Sequence, residues 1–208
     1  MIETRDLKFK YPKDQSFSFP DIHLAPEEHL LVLGPSGVGK TTLLNLLSGI
    51  LPAESGTITI DGVQLTSLNR ESLDEFRGAN IGLVFQQYHY VKSLTVEENL
   101  KLRQYFPKKI IDRTRRLAMA ERLGLSPLLH KKIIQLSQGQ QQRLSIALGL
   151  IHQPKVVLAD EPTSNLDDSN CERVLSLLKE EAQLCGSSLV IITHDKRVTA
   201  YFKNQMVL

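Results

Sequence analysis

Four short, unbroken apolar runs constrain this chain most: Leu30-Leu31-Val32-Leu33, Ile81-Gly82-Leu83-Val84-Phe85, Val156-Val157-Leu158-Ala159 and Leu189-Val190-Ile191-Ile192. A strand with one face in water alternates apolar and polar residues, whereas a strand apolar at every position is covered on both faces. Such runs, separated by helical stretches, predict an α/β fold built on a mostly parallel sheet. The helices are legible as well. Leu144, Ala147, Leu148 and Ile151 fall at i, i+3, i+4 and i+7. Thr95 with Glu98, and Ser137 with Gln140, have capping-box spacing, and Gly124 and Gly186 suit positions just past helix C-termini. The N-terminal part differs. Leu7, Phe9 and Tyr11 alternate with Lys8 and Lys10, and Thr57–Ile60, Asp61-Gly62 and Val63–Leu65 predict a hairpin with a type I′ turn. These features predict one domain over 1–208, with an N-terminal antiparallel β subdomain and a helical subdomain insert at approximately 93–150.

Composition excludes several classes. With 25 Lys and Arg against 23 Asp and Glu, the net charge of +2 exerts no overall pull toward nucleic acid, and no nucleic-acid partner is expected. No apolar run approaches the ~18–20 residues that span a bilayer. The first residues, Met1 to Asp6, are acidic where a secretory signal would be basic and then apolar, so a soluble, cytosolic chain is expected. Cys171 and Cys185 form no CxxC pair and read as packing residues. His23, His29, His89, His130 and His152 have no metal-ligand spacing. The basic stretch Lys101, Arg103, Lys108, Lys109, Arg113, Arg115 and Arg116, opposed locally by Asp112, reads as a solvated helical face; the alternative is contact with a membrane partner or lipid headgroups.

The chemistry is concentrated in three places. Gly34-Pro35-Ser36-Gly37-Val38-Gly39-Lys40-Thr41 lies between an apolar strand and an apolar helix, where glycines let backbone N–H groups close around phosphate oxygens at a helix N-terminus. Lys40 can reach β- and γ-phosphates, and the Thr41 hydroxyl can ligate Mg²⁺. Asp160-Glu161 ends an apolar strand at the sheet edge where ligands of open α/β sheets bind. Asp160 suits the Mg²⁺ shell, and Glu161 suits orienting or deprotonating an attacking water, which favours hydrolysis over transfer to an acceptor. The third place is Leu136-Ser137-Gln138-Gly139-Gln140, a second helix start with a serine and a glycine. It reads either as an ordinary capping box or as another anion-binding end.

That third segment, 20 residues from Gln140 to Asp160, resembles the signature motif of the ATP-binding cassette (ABC) ATPases. The other motifs of that family follow in order across essentially the whole chain. Tyr11 stands where an aromatic stacks on adenine, although Phe9 shares its strand face. Gln86 resembles the glutamine that senses Mg²⁺ and water, Ser164-Asn165-Leu166-Asp167 the D-loop, and His194 the switch histidine. Gln138 departs from the usual glycine, and Asn165 is similar to cassettes of the lipoprotein-release, macrolide-efflux and cell-division group.

The resemblance implies ATP and Mg²⁺ as ligands and a head-to-tail homodimer around two ATP. Residues Gly34 to Thr41, with Thr42, would hold phosphates. Ser137, Gly139, Gln140 and Asp167 would complete the partner's site. Thr41, Gln86 and Asp160 would hold the metal, and Glu161, His194 and Gln86 would serve catalysis. It further implies two separate integral membrane subunits, a place on the cytoplasmic side of the membrane, and export or release as the work. With 14 residues after His194, no regulatory C-terminal domain is expected. Alternatives are a cassette that transmits force to an extracytoplasmic enzyme, a soluble ABC protein of translation or DNA maintenance, and a phosphotransferase. The soluble types need a second cassette or a long coiled coil, and Lys40 to Leu136 holds no sustained heptads.

Overall fold

The apolar runs become the interior of a five-stranded parallel sheet. The computed structural model describes residues 1–12, 15–86, 89–105, 112–164 and 166–208. Its strands are β1 (Ile2–Lys10), β2 (Ser16–Ser18), β3 (His23–Leu24), β4 (His29–Leu33), β5 (Ser55–Ile60), β6 (Val63–Gln64), β7 (Ile81–Val84), β8 (Val156–Asp160), β9 (Ser188–Thr193) and β10 (Asn204–Val207). Its helices are α1 (Lys40–Leu47), α2 (Arg70–Asn80), α3 (Val96–Tyr105), α4 (Arg113–Arg122), α5 (Gln138–Leu150) and α6 (Asp168–Leu184). One sheet runs β10-β4-β9-β8-β7 with every pairing parallel. The other, β2-β1-β5-β6 with β3 also on β1, is antiparallel.

The period of two along each central strand sorts side chains into two cores. Val156, Leu158, Val190 and Ile192 face Leu43, Leu44 and Leu47 of α1 and the apolar side of the antiparallel sheet. Val157, Ala159, Leu189 and Ile191 face the opposite core with Leu144 and Ala147 of α5 and Leu175 and Leu178 of α6. The hairpin turn is where expected: Asp61 and Gly62 have φ of 50° and 79°, the left-handed pair that a type I′ turn requires. Both capping boxes form, with Glu98 accepting from Thr95 N–H at 2.7 Å and Gln140 from Ser137 N–H at 2.9 Å. Gly124 and Gly186 each take φ of 63° just beyond α4 and α6.

Three features differ from expectation. Helix α5 buries Ile146 and Leu150 in addition to the predicted stripe, while Leu148 is only partly covered, because the helix is enclosed on more than one side. Helix α2 and strand β10 carried no legible signal. The former buries no residue fully, and the latter is a polar edge strand ordered by pairing with β4. The basic stretch is a solvated face only in part: Lys101 and Arg113 are exposed, whereas Arg103, Arg115 and Arg116 are turned into the fold. Arg103 donates to the carbonyls of Gly78 and Ile81, Arg115 to those of Leu150 and Ile151, and Arg116 is 3% exposed beside Gln104 and Glu97. Burial pushes the Arg103 pKa down to about 10. Glu97, not Asp112, supplies the opposing charge, to Lys101 and Arg116, and Asp112 caps α4 instead. Lys108 and Lys109 lie outside the described residues, as does Asn165.

Helix α5 approaches β7 closely enough that a Cβ on Gly82 would sit 2.0 Å from the Gly149 carbonyl oxygen. Gly82→Ala is therefore expected to cost about 3 kcal/mol or more through overpacking against backbone, or about 6–12 °C in a thermal melt of a chain this size. Gly78→Ala in α2, with no heavy atom within 4 Å of the added carbon, should instead gain about 0.5–1 kcal/mol.

Candidate functional site

Strands β4, β7, β8 and β9 all deliver their carboxyl ends to one edge of the parallel sheet, and a cleft of about 500 Å³ opens there. It is lined by Ser36, Gly37, Gly39, Lys40, Thr41 and Thr42 from the loop after β4, Asp160 and Glu161 from β8, and His194 from β9. Gln86, two residues past β7, and Tyr11, just past β1, also line it. Phe9 is buried in the core and Tyr11 faces the cleft, its ring edge-on to Phe9 at 4.6 Å and its hydroxyl 3.1 Å from Thr42 Oγ1.

The loop needs its glycines. Gly37 and Gly39 have φ of 82° and 108°, and a Cβ on Gly39 would meet the Phe17 ring at 2.6 Å. Lys40, at the start of α1, folds back and donates to the carbonyls of Gly34 and Pro35 at 2.8 and 2.9 Å. An ammonium has three protons, so these two bonds leave one, and Nζ lies 3.9 Å from Glu161 Oε1. Val38 does not line the cleft; its Cγ1 packs beside Gly34.

The Thr41 hydroxyl donates to Asp160 Oδ2 at 3.1 Å, joining the first turn of α1 to the end of β8. Burial raises the pKa of Asp160, with Glu161 adding to the shift, while the Thr41 bond and the Lys40 charge oppose it. A hydroxyl and a buried carboxylate, with the Gln86 amide on the same cleft, form a hard, all-oxygen donor set of the kind Mg²⁺ takes. The residues present fit that ion.

Glu161 is held from several sides. Its backbone lies at φ 47°, a conformation that costs a non-glycine residue about 1–3 kcal/mol and recurs at functional sites. Its N–H bonds the Ile192 carbonyl at 2.9 Å. Oε2 accepts from the Thr193 hydroxyl at 2.7 Å, Oε1 accepts from His194 N–H at 3.1 Å, and His194 Nδ1 lies 2.8 Å from Oε1. Thr193 thus supports the cleft from behind through Glu161, a contact that sequence reading missed, since a threonine ending an apolar strand carries no motif of its own. Gln15 and Phe17 of the cleft wall were missed as well, because they belong to no motif.

Ser137, Gly139, Gln140 and Asp167 lie elsewhere. None lines the cleft. Ser137 and Gln140 cap α5 reciprocally, and Gly139 and Asp167 line a separate hollow of about 240 Å³ with Arg143 and Arg173. Asp167 caps α6, and the Asn170 N–H, followed by the Ser169 hydroxyl and Asn170 amide, holds its carboxyl below the usual range.

A phosphate-type loop, a threonine–aspartate pair and a cradled glutamate on one parallel sheet edge define a nucleoside-triphosphatase. The family model described as ABC transporter matches residues 19–164, and the chain belongs to that family. It is 36% identical over 190 residues to the lipoprotein-releasing system ATP-binding protein LolD of Legionella pneumophila, covering 90% of this chain and 84% of that one. It is 35% identical over 195 residues to the bacitracin export ATP-binding protein BceA of Halalkalibacterium halodurans, covering 92% and 77%. The dimeric post-hydrolysis structure of the ATP-binding cassette MJ0796 with ADP and Pi superposes with a TM-score of 0.88 at 30% identity, covering 100% of this chain and 94% of that one. The chain is an ABC transporter ATPase, an ATP hydrolase working with ATP and Mg²⁺.

Thr193→Val keeps the shape of the side chain and removes both the bond to Glu161 and the acceptor for Asp195 N–H. A hydrogen bond to a charged group is worth about 1.5–3 kcal/mol, so ATP turnover is expected to fall about 10–100-fold with ATP affinity little changed. Steady-state kinetics beside equilibrium nucleotide binding checks this.

Proposed function

We propose that this chain is the ATP-driven subunit of an export or release transporter, working as a head-to-tail pair around two ATP beneath two separate membrane subunits. The observation that carries this reading is the separation of the two anion-binding helix starts. Lys40 opens α1 inside the cleft with Thr41, Asp160, Glu161, Gln86 and His194, whereas Ser137 and Gly139 begin α5 outside it. A helix N-terminus with a serine and a glycine is an anion site, and a second copy can bring it the phosphate that its own cleft does not.

In this reading, Gly37, Gly39 and Lys40 take the phosphates, with Ser36, Thr42 and the loop backbone from Gly34 to Val38 around them, and Tyr11 takes the base. Thr41, Gln86 and Asp160 would hold Mg²⁺, which when bound neutralises phosphate charge. Glu161, oriented by Thr193 and His194, accepts the proton of the attacking water, and His194 steadies the γ-phosphate. Ser137, Gly139, Gln140 and Asp167 complete the site of the partner subunit. Because the nucleotide is shared, ATP favours the closed pair and hydrolysis releases it, a population shift driven by differential binding.

Two observations support a membrane partner. The LolD and BceA relatives are named for lipoprotein release and bacitracin export. The macrolide export ATP-binding/permease protein MacB of Escherichia coli matches 96% of this chain over 32% of its own length. Among the described residues, no helix is long and apolar enough to cross a membrane. The surface we assign to that partner is a groove of about 650 Å³, walled by Leu83, Phe85, Val91, Leu102 and Leu148, that adjoins Gln86 through Phe85. Its neighbourhood to Gln86 would let the occupant of the groove and the nucleotide sense each other.

Removal of a general base costs about 10²–10⁴ in rate. Glu161→Gln is therefore expected to bind ATP, turn it over about that much more slowly, and elute as a dimer with ATP and a monomer without it. Near-normal turnover would take Glu161 out of the mechanism. Extraction of the ATP-locked variant from native membranes in mild detergent should recover an integral membrane subunit; recovery of ribosomal or DNA-bound proteins alone would replace the transporter reading with a soluble one.

A further inference from the structure

Arg197 makes an unusual set of contacts for a partly exposed side chain. Its guanidinium forks onto the Asp195 carboxylate, Nε to Oδ1 at 2.9 Å and Nη2 to Oδ2 at 2.7 Å. Nη1 and Nη2 both donate to the Leu166 carbonyl at 3.2 Å, and Nη1 also reaches Asp168 Oδ1 at 2.5 Å. One side chain therefore grips two segments, the loop after β9 that carries His194 and the loop before α6 that carries Asp167.

The grip continues inward. Asp195 also accepts from the Thr163 hydroxyl at 3.3 Å, and its N–H donates to Thr193 Oγ1 at 3.0 Å. That same hydroxyl donates to Glu161 Oε2 at 2.7 Å. A continuous chain of hydrogen bonds thus runs Glu161–Thr193–Asp195–Arg197–Leu166, from the carboxylate of the cleft to the backbone beside Asp167. Isolated exposed ion pairs contribute about 0–1 kcal/mol, so a global stabilising role accounts poorly for these directed contacts, two of them to a neutral carbonyl. Fork geometry of this kind fixes orientation.

We propose that Arg197 is a positioning residue that fastens the Leu166–Asp168 loop to the His194 loop, so that docking of a second copy on Asp167 sets the orientation of Glu161. This rests on the proposed assignment of Asp167 to the partner's site. It adds a route by which closure of the pair is read at the water-activating carboxylate, using contacts within one chain. The coupling lives in geometry, so its loss changes turnover and cooperativity more than folding or nucleotide affinity.

The test compares ATP turnover against ATP concentration for the wild type, Arg197→Met and Arg197→Lys. Loss of the fork is expected to lower kcat about 10-fold, as for one charge-assisted hydrogen bond. The Hill coefficient should fall from about 2 toward about 1 as the two sites uncouple. The half-saturating ATP concentration should stay within about twofold and Tm within about 3 °C, because the contacts are partly exposed. Arg197→Lys, which keeps the charge and loses the fork, should recover less than about half of the lost kcat. Wild-type kcat and Hill coefficient in Arg197→Met overturn the proposal; so does full recovery by lysine, or a loss of activity that follows a loss of folded protein. If Arg197→Met does not fold, Asp168→Ala, which removes only the exposed arm of the grip, carries the test. A fall of about twofold or more in kcat and a lower Hill coefficient support the proposal there, and wild-type values overturn it. A wild type without ATPase activity, or an active Glu161→Gln, removes the site assignment and this inference together, whereas an active wild type with indifferent Arg197 variants removes the inference alone.

Discussion

The registered parallel pairing of β4, β9, β8 and β7 is the constraint on which the site depends. Leu33 pairs with Thr193, Ile192 with Asp160, and Ala159 with Val84. Adjacent strands therefore finish within about a residue of one another, and the segments leaving them start from one line. The glycine loop, Gln86, the Asp160-Glu161 pair and Thr193-His194 are neighbours for that reason alone, though they lie far apart in sequence. A slip of one residue in any pairing would turn core side chains to the wrong layer. Burying both faces of the sheet thus protects the chemistry at its edge.

That support is what lets the edge carry unfavourable local states. Glu161 holds a positive φ, Asp160 is a carboxylate buried against its own solvation, and Gly37 and Gly39 take left-handed conformations. Each costs free energy by itself. Fully buried neighbours such as Leu158, Val190 and Ile192 lie directly behind them. The Glu161 N–H still completes its bond to Ile192, so the strained residue remains tied to the sheet. Removing freedom from Glu161 before ATP arrives is the preorganisation that its proposed role, facing one particular water, calls for.

What the sequence made legible was what depends on neighbours along the chain. Strand runs, the glycine loop, the Asp-Gly turn and both capping boxes are local, and each has the expected structure. The inward-turned arginines were illegible because their partners are remote: half-buried Arg103 meets Gly78 and Ile81, and half-buried Arg115 meets Leu150 and Ile151. In sequence they are one run of positive charge; in the fold they are separate clamps on backbone carbonyls. Strand β10 and helix α2 were hidden for a related reason, since polar residues become a strand only beside β4, and α2 presents little more than Leu73 and Phe76 to a core. The same holds for Thr193, whose role comes from standing opposite Glu161.

The signature serine posed a choice in the sequence between a cap and an anion site, and the hydrogen bonds bear on it. Ser137 Oγ accepts from Gln140 N–H at 3.3 Å, while its own N–H is taken by the Gln140 side chain at 2.9 Å. A hydroxyl has one proton and two lone pairs, and the cap uses a lone pair only. The proton stays available to donate to an anion, as do the first N–H groups of α5 that the capping box leaves unpaired. Capping and anion binding therefore draw on different halves of the same side chain. Gly139, where an added Cβ would meet no heavy atom within 4 Å, keeps that end of the helix open to approach. In the proposed pair, the single chain can order its helix and still offer that terminus to the nucleotide of a second copy.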